Sequence, residues 1–372
     1  MTSKERMVRA LHREVPDRLP VTVHQWQDYH LKHYMGGMSA LEAFRHLGMD
    51  ASIAYFGSVG QVATIGVPTA PQSPDWRVSV DVIRDEPGCR IYRFHVATPE
   101  GELSYATESS EQTTWVTECM IKRPEDIEKL AYIPVPKVDR QEVSKLYDQV
   151  GGDGILRGFV WGDQAGCWQH ACCLYGTEGL ILAALDDPEW THRFLGVLLA
   201  KKLQFIEESL ADARFDLIET GGGAASSTVI SPELFAEFCL PYDRRLHDAL
   251  HRQGHLVAYH TCGGMMGILD LIAETGADVS ETLSPPGVGG NITDRMLVKE
   301  TLGRKCALIG GMDQHNLLTL GTPEMIEREV GDLFLSYGIG GGYIMSASDH
   351  FFDAPVENLA AYANAARGCI YR

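Results

Sequence analysis

The chain has 372 residues, 45% hydrophobic and 22% charged, a globular composition that excludes collagen-like, disordered and disulfide-scaffold classes. Lys and Arg number 32 against 50 Asp and Glu, a formal net charge of -18, which argues against binding to nucleic-acid phosphates. Charges interrupt every apolar stretch of the opening MTSKERMVRALHREVPDRLPV, so neither a signal-peptide core nor a membrane span is expected and the reading is a cytoplasmic protein.

Met7, Val8 and Leu11 have helical spacing within 3–13, and Pro16-Asp17-Arg18 ends that helix before an apolar run, Leu19 to Val23, that predicts a first strand. Ser39 is placed to cap a helix reaching Leu47, and Ala51 to Phe56 predicts a second strand. Between about 76 and 122 the pattern changes to alternating β-branched and aromatic segments, with the turn Pro99-Glu100-Gly101 between two of them, which predicts an antiparallel β insertion. From Arg123 the alternation of helix and strand resumes. Pro124-Glu125-Asp126 opens a helix, further helices run through 176–211, and strands are predicted over 155–162, 214–219, 256–262, 278–283, 306–312 and 342–348. Eight strand candidates with crossover helices predict a closed (β/α)8 TIM barrel, one domain over 1–372 carrying the insertion 76–122. The competing open doubly wound sheet lacks its G-x-G-x-x-G fingerprint.

In such a barrel the reactive groups lie at the C-terminal strand ends. Those ends carry His24-Gln25-Trp26, then Trp161 with Asp163 and Gln164, Glu219 before the glycines 221–223, His260-Thr261-Cys262, Glu281, Asp313 with His315, and Asp349-His350. His260-x-Cys262 is the sharpest pattern, because alternate residues of a strand end point to one side and an imidazole nitrogen and a thiolate could share one zinc ion. Asp349 or His350 would supply the third ligand. The bland alternative is a hydrogen-bonded strand-end histidine beside an inert buried thiol. The remaining eight-strand harvest gives Glu219 and Asp313 as candidates for proton transfer or substrate positioning, each of which could equally be a carboxylate bonded to backbone amides. His24, Trp26, Tyr29 and Trp161, with His30, His33, Tyr34 and Trp168 nearby in sequence, suggest an aromatic and histidine-rich pocket for a small neutral or aromatic substrate; packing in the core is the competing use. Asp313-x-His315-x-x-Leu318 lacks the glycine of a cobalamin-binding D-x-H-x-x-G pattern. Nine cysteines without a framework read mostly as small buried hydrophobes.

The segments SKERMVRALHREVPDRLPV, ISPELFAEFCLPYDRRLHDAL with GHLVAYHTCGG, ALIGGMDQHNLLTLGTPEMIEREV and GGGYIMSASDHFFDAPVENLAAY resemble the uroporphyrinogen decarboxylase superfamily over nearly the whole chain. The resemblance implies a (β/α)8 barrel and one of two activities. The decarboxylases carry an arginine-rich motif after the first strand to grip substrate carboxylates, whereas the corresponding HQWQDYHLKHYMGG has no arginine between Arg18 and Arg45. The zinc-dependent methyltransferases, such as the methylcobamide:coenzyme M enzymes, carry H-x-C at a strand end, which His260 and Cys262 match, and a distant cysteine, at or next to which this chain has Asp349. The resemblance therefore implies a metal-dependent methyltransferase that moves a methyl group between a small methylated substrate or thiol and a corrinoid protein. A cofactor-free decarboxylase, or a corrinoid- or tetrapyrrole-binding protein without turnover, is the alternative, and the oligomeric state stays open.

Overall fold

The computed structural model describes residues 1–56, 72–162 and 165–371; Asp163 and Gln164 lie outside them. Strand β1 (Ala51–Ala54) is followed by the four strands of the 76–122 region, β2 (Arg77–Glu86), β3 (Cys89–Thr98), β4 (Gly101–Ser109) and β5 (Thr114–Glu118). Then come β6 (Gly154–Phe159), β7 (Leu217–Gly221), β8 (Val257–His260), β9 (Val279–Thr282), β10 (Ala307–Met312) and β11 (Tyr343–Ala347). β1 and β6 to β11 form one seven-stranded sheet in that order, every neighbouring pair parallel. These strands are short, almost wholly buried and separated by helices, as a parallel sheet covered on both faces requires. No helix among the described residues is long and apolar enough to cross a membrane.

The expected first strand is a correction: Leu19 to Val23 is extended but forms no regular ladder. Val21 makes one parallel bridge to Met345, the Thr22 N–H donates to the Met345 carbonyl at 2.9 Å, and the Asp50 N–H donates to the Val21 carbonyl at 2.7 Å. Pro20 has no N–H to add to a ladder, which explains why so apolar a run pairs only here and there. The segment nevertheless touches both edges of the sheet, at β11 and just before β1. The buried Asp50 carboxylate fixes it there, accepting from the Val21 N–H and from the guanidinium groups of Arg6 and Arg18 at 2.7–3.0 Å. Two smaller differences are local. Pro124–Tyr132 is a tight 3-10 helix, and the strand expected over 214–219 runs from Leu217 to Gly221 because Asp216 turns its carboxylate to the Leu156 N–H.

The antiparallel insertion is present as expected, with sheet order β2-β3-β4-β5 and a turn at Pro99-Glu100. Phe94 and Tyr105 are cross-strand partners stacked at 4.5 Å on its buried face, while the outer half of β2 faces solvent.

On the main sheet, residue alternation sorts side chains into layers. Ile155, Leu217, Ala258, Val279, Ile309 and Ile344 make an apolar cluster with Met7, Ala10 and Leu11 of helix α1 (Ser3–Leu11). Two residues further along four of those strands, and therefore on the same face, come Arg157, Glu219, His260 and Glu281. The fold thus sets a layer of charge directly above an apolar floor, toward the C-terminal strand ends.

Candidate active site

These four side chains meet. Arg157 Nη2 donates to Glu219 Oε2 at 2.7 Å and to Glu281 Oε1 at 2.6 Å, so one guanidinium joins β6 to β7 and β9. His260 Nδ1 lies 3.1 Å from Glu281 Oε1 and 3.4 Å from Glu219 Oε1. Ionised carboxylates only accept hydrogen bonds, so Nδ1 carries a proton and Nε2 points to the other side. That Nε2 is buried and has no hydrogen-bond partner, and neither has Glu281 Oε2.

Burial favours the neutral acid, yet the Arg157 charge and the His260 hydrogen bond hold Glu281 well below the usual carboxylate range. Glu219 differs. Burial, reinforced by the negative charge of Glu281, pushes it up to about 7, a value suited to taking or giving a proton near neutrality. Burial opposes a charge on His260, but the neighbouring Cys262 and Glu219 raise its affinity for a proton well above that of free histidine.

His24, Glu219, His260 and Glu281 are all buried, and each offers a ligand atom within 4.8 Å of the others. His24 directly follows the extended Leu19 to Val23 segment. Its ring centroid lies 4.9 Å from that of His260 and 5.1 Å from that of His350, and burial holds it well below the usual histidine value, hence neutral. Of the sequence pair at the last strand end, His350 faces the cluster. Its Nε2 approaches Gln25 Oε1 at 3.3 Å, while the Asp349 carboxylate accepts from the His350 N–H at 2.7 Å.

The glycines after β7 account for the close seating of His260-x-Cys262. A Cβ on Gly221 would stand 2.4 Å from the His260 carbonyl oxygen, and one on Gly223 2.7 Å from Cys262 Sγ. Gly221 also has φ +92°, so Gly221→Ala should destabilise the protein by about 1–3 kcal/mol through strain and the backbone clash. A urea midpoint equal to wild type would show that the two loops are not so tightly joined.

Other expected site residues scatter. Asp313 caps the turn that follows it, accepting from the His315 and Asn316 N–H groups at 3.0 and 2.7 Å and from Asn316 Nδ2 at 2.9 Å. Trp26 packs edge-on against Phe44 and Phe351, and Tyr29 lies 4.4 Å from the His33 ring. Trp161 is buried edge-on against His170, with its carbonyl accepting from Lys202 Nζ at 2.5 Å. A cavity of about 690 Å³ opens beside Gln25 and Trp26 and extends to Ser52, Ala54 and Phe56, a volume ordinary for small-molecule sites. The insertion contributes nothing to the four-residue cluster.

Residues 108–369 match the uroporphyrinogen decarboxylase model. The chain belongs to the uroporphyrinogen decarboxylase family. Within reach of the family lie two kinds of relative. The methylated-thiol–coenzyme M methyltransferase of Methanosarcina mazei is 26% identical over 267 residues, 70% of this chain and 63% of that relative, so the match spans less than two thirds of the methyltransferase. A uroporphyrinogen decarboxylase of Legionella pneumophila (strain Corby) is 25% identical over 369 residues, 95% of this chain and 93% of that enzyme. Among solved structures, a methyltransferase from Methanosarcina mazei superposes with a TM-score of 0.68 at 18% identity, covering 98% of both chains, which shows a shared fold. The resemblance read from the sequence is therefore borne out at the level of the family.

Proposed function

We propose that this family member is a metal-dependent methyltransferase, built as a single domain on a closed (β/α)8 barrel, that works in the cytoplasm. It would move a methyl group between a small methylated substrate or thiol and a corrinoid protein. The observation that carries this reading is the His260 imidazole. Its Nδ1 is tied to Glu281 and Glu219, its Nε2 is buried without a partner, and Cys262 sits beside it. A carboxylate that orients one ring nitrogen while the other is left open is the usual setting of a metal-bound histidine. The donor set suits zinc, with His260 and Cys262 as ligands and Asp349 or His350 as the third expected from the sequence.

When bound, zinc supplies Lewis acidity that lowers the pKa of a thiol or polarises a leaving group. The chain's own residues do the rest. Arg157 holds both carboxylates, Glu281 orients His260, and Glu219, close to half-protonated at neutral pH, can hold or release a proton beside the substrate. Asp313 would act by shaping the loop it caps, and the small neutral or aromatic substrate would enter past Gln25, Trp26 and Tyr29.

The decarboxylase reading is favoured by the decarboxylase relatives that match over nearly their full length. Against it, no guanidinium follows the first segment, and the one arginine in the cluster is already bonded to two carboxylates. Metal analysis decides. Purified protein should carry about one zinc per chain, lost in the His260→Ala, Cys262→Ala double variant together with methyl transfer to a corrinoid acceptor. Metal-free protein that is active would overturn the proposal.

A further inference from the structure

Resting on the metal-dependent reading, the geometry points to His24 as a ligand of the same ion, occupying the third place for which the sequence suggested Asp349 or His350. The argument starts from the polar atoms that lack partners. His24 is 8% exposed, and its Nδ1 stands 3.9 Å from Glu281 Oε1, beyond hydrogen-bond reach. His260 Nε2 is buried without a hydrogen-bond partner, and a ring nitrogen of His24 and one of His260 lie within 4.8 Å of each other; they would have to close to about 3.3 Å for both to stand about 2.0–2.1 Å from one tetrahedral ion.

The two carboxylates of the cluster are weaker candidates for that place. A cation is already between them, since Arg157 bonds Glu219 and Glu281 at 2.7 and 2.6 Å, so displacing it would leave a buried guanidinium without a counter-charge. Asp349 is a third exposed and turned to the His350 backbone. His350 already approaches Gln25. The donors that remain beside His260 are the Cys262 sulfur and the His24 imidazole. A divalent ion held by two neutral imidazoles and one thiolate keeps a net charge of +1, which makes it a stronger acceptor of electron density than a centre with two thiolates. The substrate class that fits is one whose leaving atom is an oxygen or another poor leaving group that needs polarising.

The test is metal binding itself, with activity left aside. Zinc affinity by competition with a chromophoric chelator, and the visible spectrum of the cobalt(II)-substituted protein, would be recorded for wild type, His24→Ala, His24→Gln and Asp349→Ala. His24→Ala and His24→Gln should each weaken zinc binding about 100-fold, at or above the upper end of what loss of an orienting residue does, and both should change the cobalt spectrum. Asp349→Ala should leave both unchanged. Wild-type affinity and spectrum in folded His24→Gln, or loss of metal in Asp349→Ala, overturns the assignment while leaving the methyltransferase reading intact. A wild-type protein that takes up neither zinc nor cobalt overturns that reading, and this one with it. Circular dichroism identifies folded variants, and the glutamine, of similar size to histidine, covers the case in which alanine leaves a cavity.

Discussion

Arg157→Ala should lower the stability of the protein by about 3–5 kcal/mol, the range seen when one partner of a buried ion pair is removed. The size follows from what is left behind. Glu219 and Glu281 are almost fully buried, and their shared Nη2 bonds at 2.7 and 2.6 Å are replaced by empty space. Two carboxylates then face each other in a medium where neither is solvated, so at least one must take up a proton. Arg157→Lys should recover part of the loss, since an ammonium restores the charge but not the planar fork. Equilibrium unfolding in urea reads the effect as a shift of the midpoint at constant slope. A midpoint within error of wild type for Arg157→Ala would mean that the carboxylates are paired by something other than this guanidinium.

The second large effect belongs to Asp243, on the helix Leu240–Arg252, well apart in sequence from the histidine cluster. Burial pushes its carboxyl up from 3.8 to about 7, with Tyr259 and Lys202 pulling the other way. An acid whose pKa is higher folded than unfolded holds its proton longer in the native state. Its contribution is therefore complete below about pH 4, fades as the pH rises to about 7, and is level above that. Three pH units at about 1.4 kcal/mol each correspond to about 4 kcal/mol lost over that interval, an upper figure because other groups titrate in the same range. Asp243→Asn keeps the size and removes the charge, so it should flatten the dependence and gain most over wild type near pH 8. Urea midpoints taken from pH 5 to 8 check this. A wild-type stability that rises steadily across the range, with the asparagine variant parallel to it, contradicts the buried proton.

How far the site could be read in advance depended on where each residue stood in its element. His260 and Glu219 were legible because they lie at or near the ends of strands, where alternation says which side they face. Arg157 was not. It lies inside the run ILRGFVWG, and attention to strand ends passes over it; yet a charge within an otherwise apolar strand is itself a signal, since arginine is seldom buried without a partner. Glu281 stood among the strand-end donors, but its role needs Arg157 and His260 beside it, contacts 124 and 21 residues away in the chain. His24 was read as part of a substrate pocket because nothing local to HQWQDYH relates it to residue 260. Trp161 turned inward, as bulky aromatics most often do. The alternation of strands and helices was legible from apolar periodicity, whereas the irregular pairing of Leu19 to Val23 depends on Pro20 and on Asp50, whose partners Arg6, Arg18 and Val21 lie 29 to 44 residues before it.

The Arg157 bridge also bears on how the chain finds its pairing. Parallel strands make contacts between distant parts of the sequence, and a slip of one residue in β6, β7 or β9 keeps an apolar strand apolar, so hydrophobicity alone discriminates weakly among registers. The same slip would turn Arg157, Glu219 or Glu281 to the opposite face of the sheet, among the helices, with an unpaired charge. Wrong alignments are thereby penalised far more heavily than they would be in a wholly apolar sheet, and the charged layer acts as a proofreading device during assembly.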